Sequence, residues 1–242
     1  MKTLIIAEIG HNHNGDMTIA KQLINEAKTA GAGIAKFQLY DTDKLGIKEA
    51  YGQEVYDDLK TGELTRAQLT ILKDHCDKVG IEFLCSVFDI ERVGWTEEIG
   101  MKRYKIASRS IKDRLLIEQI CRTGKDIIAS LGMWEQLCPP IIETMGKVDF
   151  LYCIAKYPTL FEDIDMPIFN NFDYFGLEYS GFSDHTIGID ASLVAVSRGA
   201  QIIEKHFTID RNMPGYDQEG SIEPAELKEM IKKIKIIEEI LH

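Results

Sequence analysis

Residues 4–38 read LIIAEIGHNHNGDMTIAKQLINEAKTAGAGIAKFQ. They hold an apolar run at 4–9, a helical repeat at 17–30 and a second apolar run at 33–38. In the middle stretch Ile19, Ala20, Leu23, Ile24 and Ala27 share one face, and Gly31 follows as a stop. Strand, amphipathic helix and strand in succession form a βαβ unit. Such a unit implies parallel strands joined by a right-handed crossover.

The plan repeats along the chain. Further apolar runs fall at 82–88, 103–108, 126–130, 150–155, 179–184 and 202–207, which makes eight. They are rich in Ile, Val, Phe and Tyr, as expected of strands buried on both faces of a parallel sheet. Between them, helical patterns are expected at 65–79, with Thr65 as cap and Gly80 as stop, and at 90–99, 111–123, 134–145 and 189–198, each followed by glycine. A last helix is expected at 223–241, with Pro224 in its first turn. The connection at 161–175 holds Pro167 and two Asn and reads as a short or irregular helix. Eight units in one chain favour a single-domain α/β fold, a (β/α)8 TIM barrel over residues 1–242. An open doubly wound sheet is the structural alternative.

Composition narrows the function. The 242 residues are 45% hydrophobic and 28% charged, an ordinary globular mixture. The net charge of −11, with no Lys/Arg cluster, argues against nucleic acid but leaves room for a local anion site. Cys76, Cys85, Cys121, Cys138 and Cys153 are scattered without a C-x-x-C pair, so reduced thiols in the cytoplasm are expected. Glu8 comes too early for a signal peptide, and no apolar run approaches the ~20 residues of a membrane span.

In a barrel, chemistry gathers where the strands end. The first run carries Glu8 and leads into Gly10-His11-Asn12-His13-Asn14-Gly15; the second carries Lys36 and Gln38. Ser86, Lys105, Ser108 and Ser130 close the next three. Lys156 and Tyr157 follow the sixth, Ser183-Asp184-His185-Thr186 ends the seventh, and Glu204-Lys205-His206 ends the eighth. Lys36 and Gln38 share a face, as do Glu204 and His206. An inward lysine costs several kcal/mol, in order of magnitude, unless it is paired or binds an anion. Two readings are therefore open: Lys36 and Lys105 grip a substrate's carboxylate and phosphate, or they pair internally with Glu8 or Glu204. Similarly, His185 and His206 on adjacent strand ends are either a metal pair or two structural histidines. Ser86, Ser108 and Ser130 suit phosphate oxygens or simply end strands. There is neither a Walker A loop nor G-x-G-x-x-G.

The stretches AEIGHNHNGD (7–16), AKFQ (35–38), FLCSVFD (83–89), YKIAS (104–108), SLGM (130–133), GFSDHTIGID (181–190) and GAQIIEKHFTIDRNMPGYDQEGS (199–221) resemble the sialic acid synthase family, of the N-acetylneuraminate synthase type. The resemblance implies a barrel that joins phosphoenolpyruvate to an aldehyde aminosugar and releases phosphate. It implies a divalent metal, Mn2+ first and Mg2+ or Co2+ as alternatives, on His185 and His206. Phosphoenolpyruvate contacts carry over to Lys36, Ser86, Lys105, Ser108, Ser130 and Ser183; sugar contacts carry over to Glu8, Gln38, Tyr157 and Asp217. Glu204 matches an active-site acid, and Glu204 or Glu8 is the candidate for handling protons. A homodimer is one assembly the resemblance admits. The family's usual K-I-x-S-G-E is here Lys105-Ile106-Ala107-Ser108-Arg109-Ser110, and His11 replaces an apolar residue. The match covers the barrel domain, with no counterpart here of the family's C-terminal antifreeze-like domain. A synthase acting on a different aldehyde and a non-catalytic sugar-phosphate-binding subunit remain the alternative functions.

Overall fold

A computed structural model describes residues 2–171 and 176–241. Eight parallel strands close in sequence order: β1 (Leu4–Gly10), β2 (Ile34–Leu39), β3 (Glu82–Val87), β4 (Arg103–Ile106), β5 (Asp126–Ser130), β6 (Val148–Cys153), β7 (Gly181–Asp184) and β8 (Ile202–His206). The helices outside them are α1 (Met17–Ala30), α2 (Ile47–Tyr51), α3 (Gln53–Thr61), α4 (Arg66–Val79), α5 (Ile90–Glu98), α6 (Arg114–Cys121), α7 (Asp190–Ser197) and α8 (Pro224–Leu241). This is the (β/α)8 barrel expected; the open sheet is ruled out by the β1–β8 pairing.

Local chemistry sets the ends of the elements. The Asp16 side chain accepts from the Thr18 and Ile19 amides at the start of α1, and Gly31 closes it at φ 105°, a left-handed position that favours glycine. Thr65 and Gln68 form a reciprocal capping box on α4. Ala20, Leu23, Ile24 and Ala27 of α1 are buried against the barrel, which accounts for the periodicity seen in the sequence. Register then fixes the site: Glu8 lies beside Lys36 on one side and His206 on the other, Ser86 beside Gln38 and Lys105, and Ser183 beside Glu204.

Two segments depart from expectation. Residues 134–145 form no helix. Pro139 and Pro140 lack the amide a helix needs and push the preceding residues out of the α region. The apolar spacing there does not mark a buried face, because Ile141 and Met145 are 84% and 96% exposed. Between β5 and β6 the chain instead runs in turns, with Trp134 Nε1 donating to the Cys138 carbonyl at 2.8 Å. The second departure is an insertion between β2 and α4 that carries α2 and α3. Its Tyr40, Ile47 and Leu59 form a small buried cluster, flanked by Leu45, Val55, Tyr56 and Phe88, separate from the main core. The connection after β6 is irregular, as expected, with one 3-10 turn at Phe161–Asp163; its residues 172–175, like His242, lie outside the described residues. All five cysteines are free, and no described helix is long and apolar enough to cross a membrane.

Candidate active site

The strand ends surround one cavity of about 490 Å³. All thirteen site residues expected from sequence line it: Glu8, Lys36, Gln38, Ser86, Lys105, Ser108, Ser130, Tyr157, Ser183, His185, Glu204, His206 and Asp217. A larger surface hollow of about 860 Å³, between α6 and residues 134–143, contains none of them.

At the floor stand two lysines with almost no solvent contact. Lys36 Nζ is 2.8 Å from Glu8 Oε2, 3.5 Å from Glu204 Oε2 and donates to Ser86 Oγ at 2.9 Å. Lys105 Nζ is 3.5 Å from Glu204 Oε1 and donates to Ser130 Oγ at 2.7 Å and to the Ile106 carbonyl at 3.2 Å. Ser183 Oγ donates to Glu204 at 2.8 Å. Both internal pairings foreseen for Lys36 are thus present.

The two ammonium groups differ in how they hold their protons. Burial works against the charge of Lys36, but Glu204 and Glu8 outweigh it and keep its pKa above the ordinary value. For Lys105 burial wins over Glu204, and the charge of Lys36 adds to the depression. Glu204 is itself buried, yet Lys105, Lys36 and the Ser183 hydroxyl hold its pKa down to about 2. It is a fixed anion in a cationic floor.

On the opposite wall the rings of His185 and His206 have centroids 5.7 Å apart. His185 Nδ1 meets the Ile154 carbonyl at 2.7 Å, which assigns the proton to Nδ1 and leaves the Nε2 lone pair free. His206 Nδ1 is 3.5 Å from Asp217 Oδ2. The Tyr157 ring lies over His185, centroid to centroid 4.1 Å. A carbonyl orients His185, while His206 Nδ1 has Asp217 nearby but no hydrogen bond among the described residues; the two imidazoles are the pair that would hold a divalent ion. Among the described residues no group of three or more His, Cys, Asp or Glu is placed to hold one, so other positions would fall to water or substrate, as in open catalytic sites. The intervening motif residues face outward: Asp184 pairs with Lys205 at 3.0 Å and accepts from Thr186 and Ser192. Half of each signature is therefore structural.

The sequence marks His11, Arg109 and Ser110 as departures from the family pattern, but not the insertion or the Asp58 contact that complete the wall. His11 lies between Asp58 of α3, at 3.2 Å, and Asp217, at 3.5 Å. Burial lowers the pKa of His11, but Asp217 and Asp58 outweigh it and raise it overall. Arg109 and the inner face of the insertion also line the cavity, whereas neighbouring Ser110 is buried away from it. The signal was available: the link from residue 39 to residue 65 is far longer than a βα connection needs.

A barrel with this floor and this histidine wall can be set beside known proteins. Residues 23–242 match the model of the NeuB family. The chain belongs to the NeuB family. It is similar to an N,N'-diacetyllegionaminic acid synthase of Campylobacter jejuni, with 37% identity over 99% of this chain and 78% of the relative. It is also similar to human N-acetylneuraminate-9-phosphate synthase, with 29% identity over 98% of this chain and 70% of the relative. Among solved structures, the N-acetylneuraminic acid synthetase of Leptospira borgpetersenii, crystallised with citrate, superposes with a TM-score of 0.87 at 32% identity, over 100% of this chain and 85% of that one. The NeuB relatives are synthases of sialic-acid-type sugars, and their names show that the product varies.

Proposed function

We propose that this NeuB barrel condenses phosphoenolpyruvate with an aldehyde aminosugar, giving a nonulosonic acid and phosphate. One observation carries this reading: two desolvated lysines and their serine partners converge on the same cavity as a histidine pair. Lys36 and Lys105 hold the carboxylate and phosphate, each charged hydrogen bond contributing roughly 1.5–3 kcal/mol. Ser86 and Ser130, already bonded to those ammonium groups, turn their remaining hydrogen-bonding capacity to the anion.

The substrate's enol carbon attacks the aldehyde carbon; the aldehyde oxygen takes up a proton. Water then adds to the cationic carbon that still bears the phosphate and loses a proton, and phosphate departs from that carbon with C–O cleavage, leaving the keto group. A divalent ion on His185 and His206 would supply Lewis-acid polarisation of the aldehyde oxygen. The two acids do not share the proton work equally. Glu204, held near pKa 2 between two lysines, acts as counter-charge and positions the ammonium groups. Glu8 accepts from Gln38 Nε2 at 3.1 Å and stands beside Lys36, which leaves it the carboxylate suited to moving a proton. Asp217 lies 3.5 Å from His206 Nδ1, and Tyr157 covers His185.

The test uses phosphoenolpyruvate labelled with 18O at the bridging oxygen, Mn2+ and a panel of aldehyde sugars. Label appearing in released phosphate, only when a sugar is present, is expected. Phosphate without label, or release that no sugar stimulates, overturns the reading.

A further inference from the structure

The cavity has a second compartment above the lysine floor. Leu45, Ile47, Tyr51 and Val55 from the insertion, with Phe88 from the end of β3, form one apolar wall. The wall is built rather than incidental. Ile47 belongs to the insertion's own buried cluster, Tyr40 Oη donates to the Leu59 carbonyl at 3.0 Å, and His11 ties α3 to the barrel.

Arg109 stands at the edge of this wall. Its Nη2 donates to the Leu45 carbonyl at 2.9 Å, and its guanidinium carbon lies 5.9 Å from the Phe88 ring centroid. Among the described residues no carboxylate lies within ion-pair distance of it, whereas Lys36 and Lys105 are both paired. Arg109 is exposed, and most of its N–H donors are free to exchange water for a ligand in the cavity.

An anion is a poor match for this compartment. A phosphate needs several donors around it, and here one guanidinium faces hydrocarbon. A polyhydroxylated sugar tail is also a poor match, because hydroxyls laid on Leu45, Ile47, Val55 and Phe88 would lose water with only the Tyr51 hydroxyl and Arg109 nearby as partners. An acylamino or deoxy group suits both features: methyl carbon on the apolar wall, amide carbonyl oxygen on Arg109.

We infer that the aldehyde substrate carries an apolar, acylated or deoxy substituent at the end remote from its aldehyde, and that the insertion together with Arg109 selects it. This deepens the proposed function and rests on it for the identity of the sugar site.

Three sugars with the same reacting end separate the outcomes: an N-acetyl-2-aminohexose, its 4-acetamido-6-deoxy derivative and its 6-phosphate. Binding to the Mn2+-loaded protein is ranked by saturation-transfer NMR, and turnover is followed with phosphoenolpyruvate. The acetamido-deoxy sugar should bind at least about tenfold tighter than the hydroxylated one, since each misplaced polar group costs on the order of a kcal/mol or more. Arg109→Met should narrow that ratio severalfold, and Leu45→Ser, at a half-buried position, should narrow it too. Equal binding of the first two sugars, or tightest binding of the phosphate, overturns the inference. Failure of all three to turn over, with the binding order as stated, would support the inference and tell instead against the condensation itself.

Discussion

Lys105 Nζ and Glu204 Oε1 stand 3.5 Å apart inside the barrel, with 2% and 8% of their side chains exposed. A buried pair of this kind contributes little net stability, but removing one partner strands the other. Glu204 faces both lysines, since Lys36 is equally close; without it Lys36 would keep Glu8 at 2.8 Å, and Lys105 would lose its carboxylate.

Glu204→Gln is therefore expected to lower the stability of the ligand-free protein by about 3–5 kcal/mol. Phosphoenolpyruvate should restore more stability to the variant than to the parent, since it supplies the missing negative charge. Thermal unfolding with and without the ligand tests both. The pH dependence has a definite sign. The folded pKa lies below the ordinary 4.5, so the contribution of Glu204 is intact above that pH and is lost as pH falls toward about 2. The variant should show a shallower loss across that window.

His11 and His13 act on opposite sides of their ordinary pKa of 6.5. Burial, with help from the charge of His11, lowers His13 to about 4. The unfolded chain therefore binds the extra proton, and stability falls as pH drops from 6.5 to about 4, by about 3 kcal/mol in order of magnitude. His11 is raised, so its contribution is complete below 6.5 and fades as pH rises through its folded value. Denaturant unfolding across pH should show these two limbs, and His13→Asn should flatten only the acid one. An acid limb unchanged in that variant would remove His13 as its cause.

The histidine wall makes a separate prediction. His185→Ala and His206→Ala should each abolish measurable Mn2+ binding in calorimetry. Asp217→Asn, which alters the carboxylate that stands 3.5 Å from both His206 Nδ1 and His11 Nδ1, should weaken it by about 10–100-fold, the usual scale for outer partners of a ligand. Unchanged affinity in both alanine variants would assign the rings to hydrogen bonding instead.

The sequence disclosed the barrel and its lined mouth because both rest on short-range rules. Strand alternation puts Lys36 and Gln38, or Glu204 and His206, on one face, and parallel register brings strand ends together. What it hid depends on context. The apolar spacing of residues 134–145 imitates a helix until two adjacent prolines are weighed. The contact from His11 to Asp58 joins residues 47 positions apart, and no local pattern says where the insertion that carries Asp58 docks on the barrel. Nor could spacing say which lysine holds its proton more loosely, because that depends on where Glu204 sits between them.

Gly181 tests the barrel itself. A methyl group there would lie 2.1 Å from the Ile202 carbonyl oxygen across the β7–β8 seam. That atom is backbone and cannot swing aside, so Gly181→Ala should cost about 1–3 kcal/mol or more. Gly220→Ala, with open space around the new methyl, is the matched control. Equal melting temperatures would mean that the seam yields more readily than its geometry indicates.

The two lysines should be distinguishable by the protons they exchange. Lys105 holds its proton weakly, since burial and Lys36 both act against it; Lys36 holds its own firmly. An anion arriving between them raises the pKa of Lys105 toward or beyond the ordinary value. Phosphoenolpyruvate binding should thus take up protons at pH values below the ordinary lysine pKa, where the free protein has begun to lose the Lys105 proton and the complex has not. Calorimetry in two buffers of different ionisation enthalpy reads that uptake directly. In Lys36→Met the depression of Lys105 is partly relieved, so the uptake should move to higher pH. In Lys105→Met it should vanish. Both variants should also bind phosphoenolpyruvate about 10–100-fold more weakly, the equivalent of one charged hydrogen bond. Proton uptake that persists in Lys105→Met would show that another group is the anion's titrating partner, and the floor would have to be reassigned.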